Sequence, residues 1–499
     1  MKMLVSLSIY LLLLGAVIVY LLPSRLGSKI GYVAFALIAA AQGITHYAYV
    51  NSRPYIERFT WVDIPGLLDM SLYFKIDGIS FVFITITLTV SALAAIYSVG
   101  YMDHAKQVRM YFISYLLYVA GMLGALTSFN LIQFFLFWEL MLIPSYFMIA
   151  EWGYGDSRRV AFKYFLYTQL GSILLIIAIA ILGSLSISEY GLMVFDLDAL
   201  YSFANEIPLG IQRILLILML IGFGVKMALV PLHGWLPEAH AEAPTPISVI
   251  LSGVMIEIGL YGLVRFTIPF TYGVWSTEFF TNFLLGIAIL TLFYGGLMAL
   301  VQRDVKRLLA YSSISQMGYM FLGIAALNIV SLEGGVYHVF SHGLLKALLF
   351  MVAGVMIHVV GVRSLDKLGG LARRMPITAS LAIIGAMGIA GLPGIAAFIS
   401  EFMIFGGVYQ STTSLKLIFL VAAVLGSAVS AAYMTVFVRE IFFRDLPTEL
   451  DTVKDPPLTM LLPMAVLALL AIVFGVYPKP VLDILLTGLE NFFTMLGGV

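Results

Sequence analysis

The feature that most constrains this chain is a recurring length. Time after time, an apolar run of about twenty residues is followed by a short polar turn. A helix needs about 20 such residues to cross the hydrocarbon of a bilayer. Fourteen segments qualify, at residues 3–22, 29–50, 77–100, 111–128, 130–150, 163–187, 211–230, 246–268, 279–301, 305–327, 331–360, 377–410, 415–438 and 457–477. A soluble fold is excluded by composition, because 61% of the 499 residues are apolar and 11% are charged, against about 45–50% and about 25% in soluble domains. Lys plus Arg and Asp plus Glu both number 27, so no basic excess meets nucleic-acid phosphates. The expected fold is an all-α polytopic membrane protein with about 14 transmembrane helices. The first segment is as long as a span, and Pro23-Ser24-Arg25 follows it in place of a small-residue cleavage site. It is therefore expected to be a span and not a cleaved signal. The chain has no Cys, which excludes disulfides, thiolate zinc sites and Cys-ligated iron–sulfur clusters within it.

Two segments are expected to be broken. Segment 377–410 is too long for one straight helix and contains Gly391-Leu392-Pro393-Gly394. Pro231 interrupts the helix that begins near Ile211, and a short reentrant stretch, 232–243, follows. Irregular backbone at membrane depth survives only where it is buried in protein or lines a hydrated cavity. Paired breaks point to internal repeats. These two lie about 160 residues apart, or roughly five spans at about 20 residues and a turn each. Five is odd, so two five-helix repeats, at 111–268 and 279–438, would be inverted. Residues 1–110 would be N-terminal helices, and 439–499 a last helix and tail. Residues 480–499 read as an interfacial amphipathic helix or a docking strut.

The basic residues set an orientation. Loops after odd-numbered spans carry 17 Lys and Arg, and the opposite loops carry 8. The richer side is expected to face the cytoplasm, with both termini outside. The two remaining bases, Lys226 and Lys346, fall inside spans, as do Glu139, Glu257 and Glu401. Each such charge costs about 2.5–3.5 kcal/mol at a helix centre. Five unpaired charges would cost on the order of 15 kcal/mol, so they must be paired, hydrated or neutral part of the time. Intramembrane ionisable residues mark proton or ion relays by default. Structural ion pairs explain the Glu residues less readily, and snorkelling explains the Lys residues less readily still, because each lies some fifteen residues into its span. His338, His342 and Lys346 are spaced by four and four, so they share one helix face over roughly 12 Å. Imidazole suits a proton relay near neutral pH. The plainer reading of each His is a packing residue bonded to a backbone carbonyl.

Four blocks carry a family resemblance. Phe137-Trp138-Glu139-Leu140-Met141-Leu142-Ile143-Pro144 is the first. Val225-Lys226-Met227 with Val230-Pro231-Leu232-His233-Gly234-Trp235-Leu236-Pro237-Glu238-Ala239-His240 and Ala243-Pro244-Thr245-Pro246 is the second. The third runs from Lys306 to Tyr319, and the fourth is Ser341-His342-Gly343-Leu344-Leu345-Lys346-Ala347-Leu348-Leu349-Phe350. Together they resemble the antiporter-like subunits of respiratory complex I (NADH:quinone oxidoreductase). That family also includes Mrp-type sodium/proton antiporters and membrane-bound hydrogenase relatives. Glu401, in Phe398-Ile399-Ser400-Glu401-Phe402, resembles the M branch (mitochondrial chain-four type), where sister subunits usually carry Lys. One departure stands out: the family usually has Lys at the position of Glu257.

The resemblance implies a proton-translocating, or sodium-translocating, membrane subunit that couples electron transfer in partners to ion movement. Glu139 would hold Lys226 protonated. At about 6 Å and an effective dielectric near 20, their attraction is about 2.8 kcal/mol, or roughly two pKa units. Burial opposes it by a similar amount. Ions would pass by Lys226, Glu257, His338, His342, Lys346 and Glu401, with Lys163 and His233 as weaker candidates. Lys163 reads more simply as a helix-end interfacial residue. No motif for nicotinamide, flavin or quinone is present, so no cofactor is expected in this chain. Iron–sulfur clusters and a flavin or nickel site are expected on peripheral redox partners, beside other membrane subunits. An Mrp-type antiporter subunit is the main alternative. A solute carrier lacks an unwound substrate site, and a membrane acyltransferase would need its acid and base nearer the interface.

Overall fold

A computed structural model describes residues 3–495. The chain opens with two helices, α1 (Leu4–Leu21) and α2 (Ile30–Asn51). A β-hairpin follows, β1 (Tyr55–Ile64) and β2 (Leu68–Ile76). Its turn is made at Gly66, whose φ of 73° suits a residue without Cβ. The hairpin was not expected. In β2 the alternation of Leu68, Met70, Leu72, Phe74 and Ile76 with Asp69, Ser71, Tyr73 and Lys75 is a two-residue period, invisible to a search for twenty-residue apolar runs. Asp77 then starts α3 (Gly78–Tyr101) with a reciprocal capping box to Ser80. Next come α4 (Val108–Thr127), α5 (Leu131–Trp152) and α6 (Ser157–Tyr190). The last has 34 residues and begins well before the expected 163. The two-residue β3 (Met193–Val194) pairs parallel to β2, and α7 (Leu197–Ser202) follows.

The first break lies between α8 (Leu209–Met227) and α9 (Leu236–Glu242). It begins three residues before Pro231, at Ala228, which takes a left-handed conformation with φ 55°. The next span, Thr245–Trp275, is a composite. It comprises α10 (Thr245–Ile250), α11 (Glu257–Gly262) and α12 (Ile268–Trp275), joined by π-helical turns at Leu251–Met255 and Leu263–Thr267. Then come α13 (Glu278–Leu300), α14 (Val305–Ala325) and α15 (Ile329–His358). The second break separates α16 (Pro376–Ile389) from α17 (Ala396–Gln410), with Gly391 and Gly394 at φ 74° and 92°. The chain ends with α18 (Lys416–Val438), α19 (Leu458–Val476) and α20 (Lys479–Met495).

Among the described residues, 12 helices are long and apolar enough to cross a membrane. The other two expected segments are helical but do not qualify. Segment 305–327 is α14, rich in Ser, Gln and Gly, and 377–410 is the broken α16–α17 pair. The spans differ in environment. The faces of α1, α2, α6, α13 and α18 that point away from the protein are exposed and apolar, as lipid contact requires. The Thr245–Trp275 span and α15 are almost wholly enclosed by other helices. Small residues let them approach: a Cβ on Gly343 of α15 would lie 2.7 Å from the Gly253 carbonyl oxygen. The tail is an amphipathic helix. On α20, Val481, Leu485, Leu489, Phe492 and Phe493 are buried, and the helix packs against α3 and α15. Residues 496–499 of the expected tail lie outside the described residues.

Candidate ion-translocation site

The innermost two spans carry the densest set of ionisable groups. His338, His342 and Lys346 rise along one face of α15, with the two imidazole centroids 6.3 Å apart. All three are fully buried. Glu257, between the two π-helical turns of the facing span, accepts from His342 Nδ1 at 2.6 Å, and both side chains are essentially inaccessible. The plain reading of each His fails here, because neither ring is spent on a backbone carbonyl. His338 meets Ser400 Oγ at 2.8 Å and Gln316 Oε1 at 2.9 Å. Gln316 donates onward to Tyr433 and Ser430. Lys346 donates to the Leu309 carbonyl at 3.2 Å and to the Ser312 hydroxyl. A buried amine held by neutral oxygens alone is an ion without a counter-ion, an arrangement that costs several kcal/mol if permanently charged.

Glu401 sits just beyond the second break. Its Oε2 accepts from Ser427 at 2.9 Å, and Ser427 also meets Tyr319 OH at 3.0 Å. Tyr319 lies against His338, with ring centroids 5.9 Å apart. A Cβ on Gly391 would lie 2.8 Å from Glu401 Oε2, so the break makes room for the carboxylate. Among the described residues, Oε1 of Glu401, Oε2 of Glu257 and Nε2 of His342 have no hydrogen-bond partner. Three unpartnered polar atoms so deep mark where bridging water is needed.

Glu139 and Lys226 form a separate cluster. Lys226 occupies the last turn of α8, where the first break begins. Its ammonium lies 4.9 Å from the centre of the Trp138 ring, and Glu139 acts on it electrostatically. Among the described residues the two form no direct ion pair, and Oε1 of Glu139 is unpartnered. No hydrogen bond links this cluster to Glu257 among the described residues. Phe223 and Met227 of α8 pack against Gly259 and Gly262, on the span that carries Glu257.

The weaker candidates separate. Lys163 lies inside α6, which begins at Ser157, and pairs with Glu238 at 2.8 Å, both half-exposed. His233 is half-buried against Tyr294 and touches neither cluster. Two basic residues counted as loop charges belong inside. Lys306 is fully buried and donates to the Ala243 carbonyl, and Arg265 is buried in the second π-helical turn. His240, quoted above only as part of a motif, is fully buried with both ring nitrogens unpartnered and lies in the fields of Lys306 and Lys346. Its signal in the sequence was its place two residues before Glu242 in the reentrant stretch. At one end of this region Arg363 bonds both Glu242 and Asp304. Burial opposes its charge, yet those carboxylates hold the guanidinium above its ordinary value.

The sequence family described as "NADH:quinone oxidoreductase/Mrp antiporter, TM" matches residues 128–426, well over half of the chain. The chain belongs to this family. A second family, "NADH-Ubiquinone oxidoreductase (complex I), chain 5 N-terminus", matches residues 61–112. NADH-quinone oxidoreductase subunit M of Rickettsia conorii is 32% identical, with 98% of each chain covered. F(420)H(2) dehydrogenase subunit M of Methanosarcina mazei is 30% identical over 92% of each. A chain of respiratory complex I from Thermus thermophilus superposes with a TM-score of 0.87 at 25% identity, covering 99% of this chain and all of that one. A chain of the Mrp complex from Dietzia superposes at 0.86 and 25% identity, covering 97% of this chain and 52% of that one. Two clusters of buried ionisable groups, each beside a broken helix, are thus set in an antiporter-like subunit.

Proposed function

We propose that this antiporter-like subunit carries protons across the cell membrane as part of a complex I-like respiratory assembly, driven by electron transfer in partner subunits. The observation that carries the reading is the Glu257–His342 pair, with His338 and Lys346 beside it on one helix face. Imidazole and carboxylate exchange protons readily near neutral pH. Glu139 and Lys226 form the loading site, and moving Glu139 relative to Lys226 changes how firmly the amine holds its proton. Water passes between the clusters when Phe223 and Met227, packed against the span that carries Glu257, shift. The second cluster passes the proton from Glu257 through His342 and His338 toward Glu401.

The basic-residue asymmetry supports both termini outside. Redox centres, iron–sulfur clusters with a flavin or nickel site, belong to peripheral partners. The relatives named for NADH and for F420H2 carry different donors in their names, so the donor is left to those partners. Membrane neighbours are other antiporter-like and small membrane subunits. The test is purification of the tagged chain in mild detergent, with partners identified by mass. Recovery of iron–sulfur and dehydrogenase- or hydrogenase-like subunits is expected. Recovery of small membrane subunits alone, with sodium-dependent exchange in vesicles, would replace this reading by an Mrp-type antiporter.

A further inference from the structure

A second feature lies away from both clusters, at the end of the molecule that carries the hairpin. A cavity of about 480 Å³ opens between the last turn of α2, β2, the start of α3 and the amphipathic α20. That volume is in the range of small-molecule sites. Three cations line it, Arg53, Lys75 and Arg265, and two carboxylates, Asp77 and Asp483. The carboxylates are already engaged. Asp77 accepts from Arg265 at 2.6 Å and caps α3, and Asp483 pairs with Lys479 at 3.1 Å. Lys75 pairs with Asp198 at 3.5 Å. Arg53 makes no ion pair among the described residues and only stacks over Tyr49. The site therefore keeps one positive charge without a carboxylate. Deeper in, Arg265 is 4% exposed, and its Nε has no hydrogen-bond partner among the described residues. Its guanidinium stacks at 5.4 Å over Phe129, which Lys75 also faces at 4.1 Å.

We infer that this cavity binds the phosphodiester headgroup of an anionic phospholipid. A phosphodiester carries one negative charge, matching the one unpaired cation, and acceptor oxygens for the fork of Arg53. The cavity sits where α2 has ended and α3 begins, the level at which a span meets lipid headgroups. The wall of the cavity continues onto α2, where Val50 is 62% exposed, a surface fit for an acyl chain. The helix α20 closes the other side. It is held so near α3 that a Cβ on Gly78 would collide with the Ile484 carbonyl oxygen. Neither Arg53 nor Lys75 belongs to the translocation clusters, so the inference stands apart from the proposed function.

The test uses the complete complex purified in mild detergent. Thermal unfolding of this subunit is followed with short-chain phosphatidylglycerol, short-chain phosphatidylcholine or inorganic phosphate added. Phosphatidylglycerol is expected to raise Tm, with the concentration for half the effect at least tenfold higher in an R53Q/K75Q variant. Equal shifts from phosphatidylglycerol in wild type and variant, or none in wild type, would overturn the inference. A full shift with inorganic phosphate would overturn the lipid assignment in favour of a free anion. Equal shifts with the choline lipid would overturn the charge argument. Lipid retained by the wild-type complex, counted by native mass spectrometry, gives a reading that needs no variant: one anionic phospholipid per chain is expected, and none would contradict the site.

Discussion

A carboxylate at position 257 must find a proton or a donor, since burial of a bare charge is so costly. His342 provides the donor at 2.6 Å. Where family members usually have an amine, this chain therefore has an acid–imidazole pair, with the buried amine at Lys346, one turn along α15 from His342. Glu257→Gln keeps the size and a hydrogen bond but removes the exchangeable proton. Proton release per electron is expected to fall by this subunit's whole share with the complex still assembled, measured in vesicles during turnover. A second residue-scale prediction concerns Asp77. Its burial raises the carboxyl pKa, but Arg265 outweighs that and holds it below the ordinary value. A carboxylate depressed in the folded state contributes stability that is complete above its unfolded value, about 3.9, and is lost as pH falls through the folded value. Asp77→Asn should cost about 3–5 kcal/mol and flatten the acid limb of stability below pH 4, as read by thermal unfolding across pH. The buried charges were legible from the sequence because membrane depth makes any ionisable residue conspicuous. The partners of those charges were not, since Ser400, Gln316 and Ser427 are ordinary residues until the fold brings them to His338 and Glu401. Lys306 and Arg265 escaped notice because each lies near the end of its apolar run, where a snorkelling base is normal.

At the scale of elements, the two breaks place the ionisable groups. The first turns on Ala228, whose N–H bonds back to Gly224 and Val225 in a left-handed geometry. Proline holds φ near −65° and has no N–H. Ala228→Pro is therefore expected to destabilise the fold by about 3 kcal/mol or more and to disturb Lys226, whereas Ala228→Gly relieves strain, a gain of up to about 1 kcal/mol after the entropy of the unfolded chain is counted. Chemical denaturation of the purified complex separates these outcomes. At the second break, Gly391→Ala adds a Cβ 2.8 Å from Glu401 Oε2 at a φ of 74°. Loss of the Ser427 contact and a fall in ion transfer are expected, with little change in partner binding by co-purification. Both breaks were legible as interruptions of apolar periodicity, and the first was misplaced by three residues because proline is a louder signal than a helix that ends early by adopting αL. The π-helical turns around Glu257 leave no mark in the residue pattern. A single inserted position inside an all-apolar span changes no periodicity that composition can register.

The molecule as a whole is a shell of lipid-facing helices around enclosed ones, and two of these, the Thr245–Trp275 span and α15, carry Glu257, His338, His342 and Lys346. Apolar length set the shell, and this much was readable at once. Which spans lie inside was foreshadowed only by where the charges fall. In the function proposed above the first cluster supplies the coupling: Glu139 acts on Lys226 with no direct ion pair among the described residues, so its charge would tune the amine without locking it. The most direct test reconstitutes the complete complex carrying Glu139→Gln into vesicles and measures protons moved per electron transferred. The account predicts that electron transfer in partners persists, that the subunit stays assembled, and that the proton yield falls by this subunit's whole share. An unchanged proton yield in an assembled, active Glu139→Gln complex would contradict it.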